Sequence, residues 1–271
     1  MNGASREALL SAREALTALT DSTPVDAAAL ADELAAVTTL LDREVSLRRV
    51  LTDPAQEGER KAELVRSVLG EQVSGEAVDL VSGLVRSRWS SPRDLVDAVE
   101  ELADTADLIA AERDGSLDDV EDELFRFSRT VSSSAELRSA LASRTATADA
   151  KRTLLHTLLG GKARPATERL VTRLVGQSRG RSLEGGLDAL SKLAAERRNR
   201  SVAVVTSAVP LSDRQRQRLG EALAKMYGRR VHLNLDVDPE VVGGITVRIG
   251  DEVINGSVAD RIGEAKRRMA S

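Results

Sequence analysis

The sequence predicts a mainly α-helical protein: two copies of a helical bundle unit, followed by a small α+β C-terminal module with a β-hairpin. Three observations carry that prediction. Of 271 residues, 41% are hydrophobic but only 1% aromatic, so the core must be built from Leu, Val and Ala, which suits helices packed on helices. The stretch LRRVLTDPAQEGERKAELVRSVLG (Leu47 to Gly70) aligns without a gap with LRSALASRTATADAKRTLLHTLLG (Leu137 to Gly160), at an offset of 90 residues. Shared positions are mostly apolar at spacings of three and four, the mark of a duplicated helical unit. After about Arg200 the apolar period shortens to two, the period of a strand buried on one face.

In chain order, residues 1–25 form an N-terminal amphipathic helix, expected to be short and separate and to end at Asp21-Ser22-Thr23-Pro24. Residues 26–114 are the first helical copy and 115–200 the second. The match extends upstream, where Asp32-Glu33-Leu34 faces Asp122-Glu123-Leu124. Downstream, Leu80-Val81 and Leu84-Val85 face Leu170-Val171 and Leu174-Val175, and after one inserted residue Asp97-Ala98 faces Asp188-Ala189. Thr52-Asp53-Pro54 and Ser91-Pro92 should each stop one helix and start the next, because proline lacks an amide donor and suits a first turn. Gly70 and Gly160 should be left-handed C-terminal residues.

Residues 201–271 form the α+β module. Val202, Val204 and Val205 favour a strand. Ser212 and Gln215 have capping-box spacing and open a helix with Leu219, Leu223 and Met226 on its inner face. Val231 to Asp238 alternate as a second strand. The glycine-rich stretch VGGITVRIGDEVINGSV, Val242 to Val258, could cradle a phosphate or turn a sheet. Ile245, Val247 and Ile249 alternate with Thr246 and Arg248, Gly250-Asp251 suits a tight turn, and Val253 begins the return strand. The chain has no GxxxxGK[ST], so the stretch reads as a hairpin. Ser257 would cap a last helix with Val258, Ile262, Ala265 and Met269 on its inner face.

Little in the sequence points to chemistry. The chain has no cysteine, which excludes disulfides, thiolate metal sites and cysteine nucleophiles. No stretch approaches the roughly 20 apolar residues of a membrane span, and the charged start does not fit a secretion signal, so a cytoplasmic protein is expected. Gly176-Gln177-Ser178-Arg179-Gly180 matches the G-x-S-x-G of hydrolases, but that motif needs a preceding strand and the segment before it has helical period. His156 and His232 lie far apart in different contexts, and Asp118-Asp119 sits in a charged run. Catalytic, metal and cofactor sites are therefore all read as none.

The net charge of −4 hides an uneven layout. From Asp94 to Glu123 there are thirteen acidic residues and one basic, Arg113; from Arg138 to Arg230 there are twenty basic and seven acidic. Solvated helix faces and electrostatic steering toward charged partners both account for this. Arg197-Arg198, Arg229-Arg230 and Lys266-Arg267-Arg268 keep a nucleic-acid-binding helical protein or a general adaptor as the alternative, although the acidic whole and the lack of aromatic stacking groups argue against nucleic acid.

The segment from Ser201 onward resembles the delta subunit of bacterial F-type ATP synthases, whose mitochondrial counterpart is the oligomycin-sensitivity-conferring protein. Thr206-Ser207-Ala208 with Pro210-Leu211-Ser212, Asp238-Pro239 with Gly243-Gly244, Arg248-Ile249-Gly250-Asp251 and Gly256-Ser257 carry the resemblance. It runs back through the second copy to about Gly115, so the first copy is extra relative to ordinary members. The family commonly has aspartate where this chain has Asn255. Some relatives join an additional helical copy to a membrane-anchored stalk subunit; this chain lacks the anchor, so a separate stalk subunit should supply it.

The resemblance implies a non-catalytic stator part at the cytoplasmic face of the bacterial membrane, peripheral through its complex and supporting proton-driven ATP synthesis. It implies that the second bundle binds the N-terminal segments of the alpha subunits in a groove near Leu170, Leu174 and Val175. It also implies that the C-terminal module meets stalk subunit b. Gly243, Gly244 and Gly250 are read as backbone requirements of the hairpin.

Overall fold

The computed structural model describes residues 1–255 other than 144, 178, 201, 228–230, 239–243, 250 and 251. It divides into two compact units, Met1–Ala194 and Ala195–Ser271. The first unit starts with α1 (Gly3–Ser22), a 20-residue helix that ends within the expected Asp21–Pro24 stop. It is not separate, because Leu9, Ala12 and Leu16 are buried in the first of two apolar cores.

The duplication is visible in the helix boundaries. Helices α2 (Ala27–Arg43), α3 (Val45–Thr52), α4 (Gly58–Leu69) and α5 (Gly75–Arg86) recur 90 residues later as α7 (Leu117–Ser133), α8 (Ala135–Ala142), α9 (Ala148–Leu159) and α10 (Pro165–Gly176). Helix α6 (Pro92–Asp114) is followed by α11 (Leu183–Arg200) at an offset of 91, so the inserted residue falls in the loop between α10 and α11. Even a tertiary hydrogen bond repeats. Glu33 accepts from Ser74 Oγ, the cap of α5, at 2.5 Å, and Glu123 accepts from the Arg164 amide, the cap position of α10, at 2.9 Å. One carboxylate thus ties the same helix N-terminus in each repeat, where negative charge meets unpaired amides.

Helix α6 belongs to both repeats. Leu95, Val99, Leu102 and Ala106 are buried in the first core, whereas Leu108 and Ala111 are buried in the second with Leu124, Leu170 and Leu187. At 23 residues it spans about 35 Å, enough to close one bundle and begin the next. Its ends are well specified: Ser91 Oγ accepts from the Arg93 amide with Pro92 in the first turn, and Gly115 closes the helix at φ 79.

Two boundary expectations need correction. Gly70 is right-handed (φ −59) and Gly160 has φ −54, so neither is a left-handed cap; a Cβ on either would instead lie 2.5 or 2.4 Å from the carbonyl oxygen four residues back. Glycine is needed there for close backbone approach rather than for positive φ, which in the second repeat falls on Gly161. Asp53-Pro54 does end α3, but a turn held by Asp53 Oδ1 and the Ala55 amide intervenes before α4.

The second unit pairs β1 (Val202–Ser207) parallel to β2 (His232–Val237), joined through α12 (Asp213–Tyr227), and antiparallel to β3 (Ile245–Ile249). β4 (Glu252–Asn255) completes the hairpin, giving the order β2-β1-β3-β4. Ala203, Val205, Val247 and Ile249 form the buried layer under Leu223. The capping box is present: Ser212 Oγ accepts from the Gln215 amide at 3.4 Å, and Gln215 Oε1 accepts from the Ser212 amide at 2.9 Å. Met226, expected on the inner face of α12, is 65% exposed. Leu219, Leu223 and Tyr227, each four residues apart, make the inward stripe instead.

Candidate partner-binding surfaces

Much of the uneven charge layout lies on exposed helix faces, but part of it forms an internal seam that neither expected reading included. Helix α6 presents Asp97, Glu100, Asp104 and Asp107 at helix-face spacing toward the second repeat. Arg173 donates to Asp104 at 2.5 Å and to Asp107 at 2.7 Å, and Arg169 donates to Asp107 at 2.5 Å. Arg179 and Arg181, from the loop after α10, both pair with Glu100, and Arg179 also faces Asp97. Four carboxylates of the acidic segment and four arginines of the basic one therefore neutralise each other inside the helical unit. Asp107 is fully buried and the Arg173 side chain is 7% exposed. Burial pushes the Asp104 carboxyl up to about 7 and the Asp107 carboxyl upward as well, against the pull of Arg173. The sequence did carry a signal for this seam: four carboxylates at spacings of three and four on one helix, and arginines four apart on a later one.

A different surface lies between α1 and α5. Ala8, Ser11, Ala12, Ala15 and Leu19 face Leu80, Gly83 and Leu84 across a groove of 310 Å³, with Glu76 and Asp79 also at its wall. Gly83 opens onto it, because a Cβ added there would meet nothing within 4 Å. Residues so small let a guest helix approach closely, the helix-in-groove mode of recognition. The repeat relation makes the contrast with the second copy specific. Ninety residues after Asp79 and Gly83 stand Arg169 and Arg173, whose side chains bridge to α6.

The residues expected to contact a partner lie as follows. Leu170, Leu174 and Val175 are buried in the second core, at 0%, 7% and 2% exposure; Leu174 and Val175 also border a 570 Å³ cleft with Arg138 and Leu141. They are the repeat counterparts of Leu80, Leu84 and Val85. Pro210 precedes α12, the Asp238 amide donates to the Ser207 carbonyl at 3.0 Å, and Gly244 has φ 82. Asn255 pairs with Thr246 in the hairpin, so the ladder extends to this position. Pro239, Gly243, Gly250, Asp251, Gly256, Ser257 and the predicted last helix lie outside the described residues, as does Ser178 of the hydrolase-like match. Gly176 before it ends a helix, not the strand that motif requires.

Two helical repeats fused through one helix, bearing a small-residue groove and followed by a sheet module, define a helical scaffold protein whose surfaces suit other proteins. The sequence profile of the ATP synthase delta (OSCP) subunit family matches residues 105–269. The chain is 76% identical over 270 residues to ATP synthase subunit delta of Streptomyces griseus, covering all of both chains. It is 72% identical to that of Streptomyces coelicolor (100% of this chain, 99% of the relative) and 49% to that of Thermobifida fusca (all of both chains). The chain belongs to the ATP synthase delta (OSCP) subunit family. The profile begins inside α6, and the full-length relatives share the extra first repeat.

Proposed function

We propose that this chain is a two-ended stator joint, with its helical unit gripping the catalytic head through N-terminal segments of the alpha subunits and its sheet module meeting stalk subunit b. As a member of the delta (OSCP) family it is a structural, non-catalytic subunit that links head and peripheral stalk. No helix among the described residues is long and apolar enough to cross a membrane. Attachment at the cytoplasmic face, through the complex, is part of the proposal.

The observation that carries the head contact is the open α1–α5 groove. Both repeats are candidates for the grip, and the groove favours the first as acceptor of an amphipathic helix, since the arginine–aspartate pairs span the corresponding channel of the second. Each aliphatic side chain seated there would contribute about 1.5–3 kcal/mol. For the stalk contact, the sheet unit leaves Val209, Met226, Val237 and Val253 exposed, apolar area that a partner would cover. Two moderate contacts on one complex reinforce each other through effective concentration, by roughly 10²- to 10⁴-fold.

Gly83→Leu tests the groove. Gly83 is exposed and a Cβ there meets nothing within 4 Å, so the variant should fold, yet head binding should weaken at least tenfold in a titration against the purified head. Unchanged affinity in a folded variant would remove the first-repeat groove from the contact.

A further inference from the structure

We propose that the carboxylate row on α6 and the arginines of α10 and the following loop form a proton-responsive latch, which clasps the second repeat onto the first more tightly as pH falls through neutrality. The inference rests on how unequally the four carboxylates are served. Asp107 receives both Arg169 and Arg173, and Glu100 receives both Arg179 and Arg181. Asp97, at the outer end of the row, faces only Arg179 at 3.6 Å but is 28% exposed and keeps its water, whereas Asp104 receives only one arm of Arg173, with Glu100 one turn before it and Asp107 one turn after. Its side chain is 14% exposed. A largely covered carboxylate set between two buried ones, with half an arginine, is the first of the row to hold a proton.

The surroundings offer Asp104 no other partner at ion-pair distance among the described residues. On α1, Arg13 is taken by Glu101 of α6. Asp32 of α2 lines a 730 Å³ cleft with Arg152 and His156 of α9 and with Glu168, Arg169 and Arg173 of α10; of these, Arg152 is engaged by Asp149. On α3, Arg48 faces Asp42 of α2, which also meets Arg93 at the start of α6. On α7, Asp119 and Glu123 are held by Arg164. On α5, Arg86 pairs with Glu59 of α4.

The loop side of the seam is built to yield. Arg179 sits at φ 44, in the left-handed region that costs a non-glycine residue. Its Nε and Nη1, and Glu100 Oε1, are buried without a hydrogen bond. An arrangement held at such cost is a natural first point of local opening.

The sign follows from linkage. In the closed seam the Asp104 carboxyl is raised to about 7; once α10 separates from α6 and water enters, it returns toward the ordinary value near 3.9. Closing therefore takes up a proton. The stabilisation is fully present below the open-state value and is lost as pH rises through about 7, so the closed-to-open ratio should fall about tenfold from pH 6 to pH 8. A purely structural network of fully ionised carboxylates would show no such change across that window.

Hydrogen exchange of the full chain at pH 6 and pH 8, corrected for intrinsic exchange rates and read by mass spectrometry, tests the latch. Peptides covering 165–176 and 97–107 should be about tenfold more protected at pH 6, with β1 of the sheet unit unchanged as the internal reference. Asp104→Asn, which removes the carboxylate least matched by arginine, should abolish most of the difference between the two values. Arg179→Gly, which removes the loop clamp and its backbone cost, should alter protection at both values and keep the tenfold ratio. Equal wild-type protection at the two pH values, survival of the dependence in Asp104→Asn, or its loss in Arg179→Gly would each overturn the proposal.

Discussion

Replacing Asp107 by alanine should be among the most damaging single changes in the helical unit. The carboxylate is fully buried and accepts from Arg169 Nε at 2.5 Å and from Arg173 Nη2 at 2.7 Å. Truncation leaves four arginines facing three carboxylates in the seam. Breaking one side of a buried pair costs about 3–5 kcal/mol, because the remaining charge stays desolvated. Arg169 is 29% exposed and can rehydrate, which places the loss near the lower end, about 3 kcal/mol. For a unit of this size that lowers the midpoint of thermal unfolding by roughly 6–12 °C. The assay is urea and thermal unfolding followed by circular dichroism at 222 nm, with Arg169→Ala and the double variant completing a mutant cycle. The double variant should cost clearly less than the sum of the singles, since it removes both members of a coupled pair. A loss under about 1 kcal/mol for Asp107→Ala, or strict additivity in the cycle, would refute the assignment of the seam as buried and coupled.

Three further outcomes follow from local geometry. Asp26→Ala removes the side chain that accepts from the Ala28 and Ala29 amides at 3.0 and 3.1 Å and should cost about 1 kcal/mol, measured by urea unfolding. Gly115→Ala forces a Cβ into φ 79 at the end of the shared helix and should cost about 1 kcal/mol, felt in both repeats because α6 serves both cores. In the sheet unit, Ser212→Ala should loosen the first turn of α12, raising exchange at the Gln215 amide by about fivefold for a loss near 1 kcal/mol, with the helical unit unaffected.

Much of the fold was legible in the sequence because the duplication put the same apolar residues at the same helix positions twice. Leu34 and Leu124, Leu80 and Leu170, Val81 and Val171 are all buried as such pairs require. The strands and hairpin were legible from alternation, and the cap of α12 from the Ser212–Gln215 spacing. What escaped was tertiary. Periodicity shows that a helix buries a face but not that one helix can bury faces in two cores, so the double duty of α6 was not foreseen. Gly70 and Gly160 invited the commonest reason for glycine at a helix end, whereas close backbone approach was the operative one. Met226 and Tyr227 are adjacent, and only the seating of α12 on the sheet decides which of them turns inward. The charge segments were read as surface because each was taken alone; part of each, paired across α6 and α10, forms an interior seam. Leu170 and Leu174 were singled out in the second repeat, while the open groove lies against their counterparts one repeat earlier.

The central claim, a non-catalytic joint with a head end and a stalk end, is tested most directly by affinity purification of the tagged full chain from its native membranes in mild detergent, repeated with residues 202–271 deleted. The joint predicts recovery of alpha, beta and stalk subunits with the full chain, and selective loss of the stalk with the truncation while alpha and beta remain. Retention of the stalk subunit by the truncated chain, or recovery of the full chain without head subunits, would contradict it.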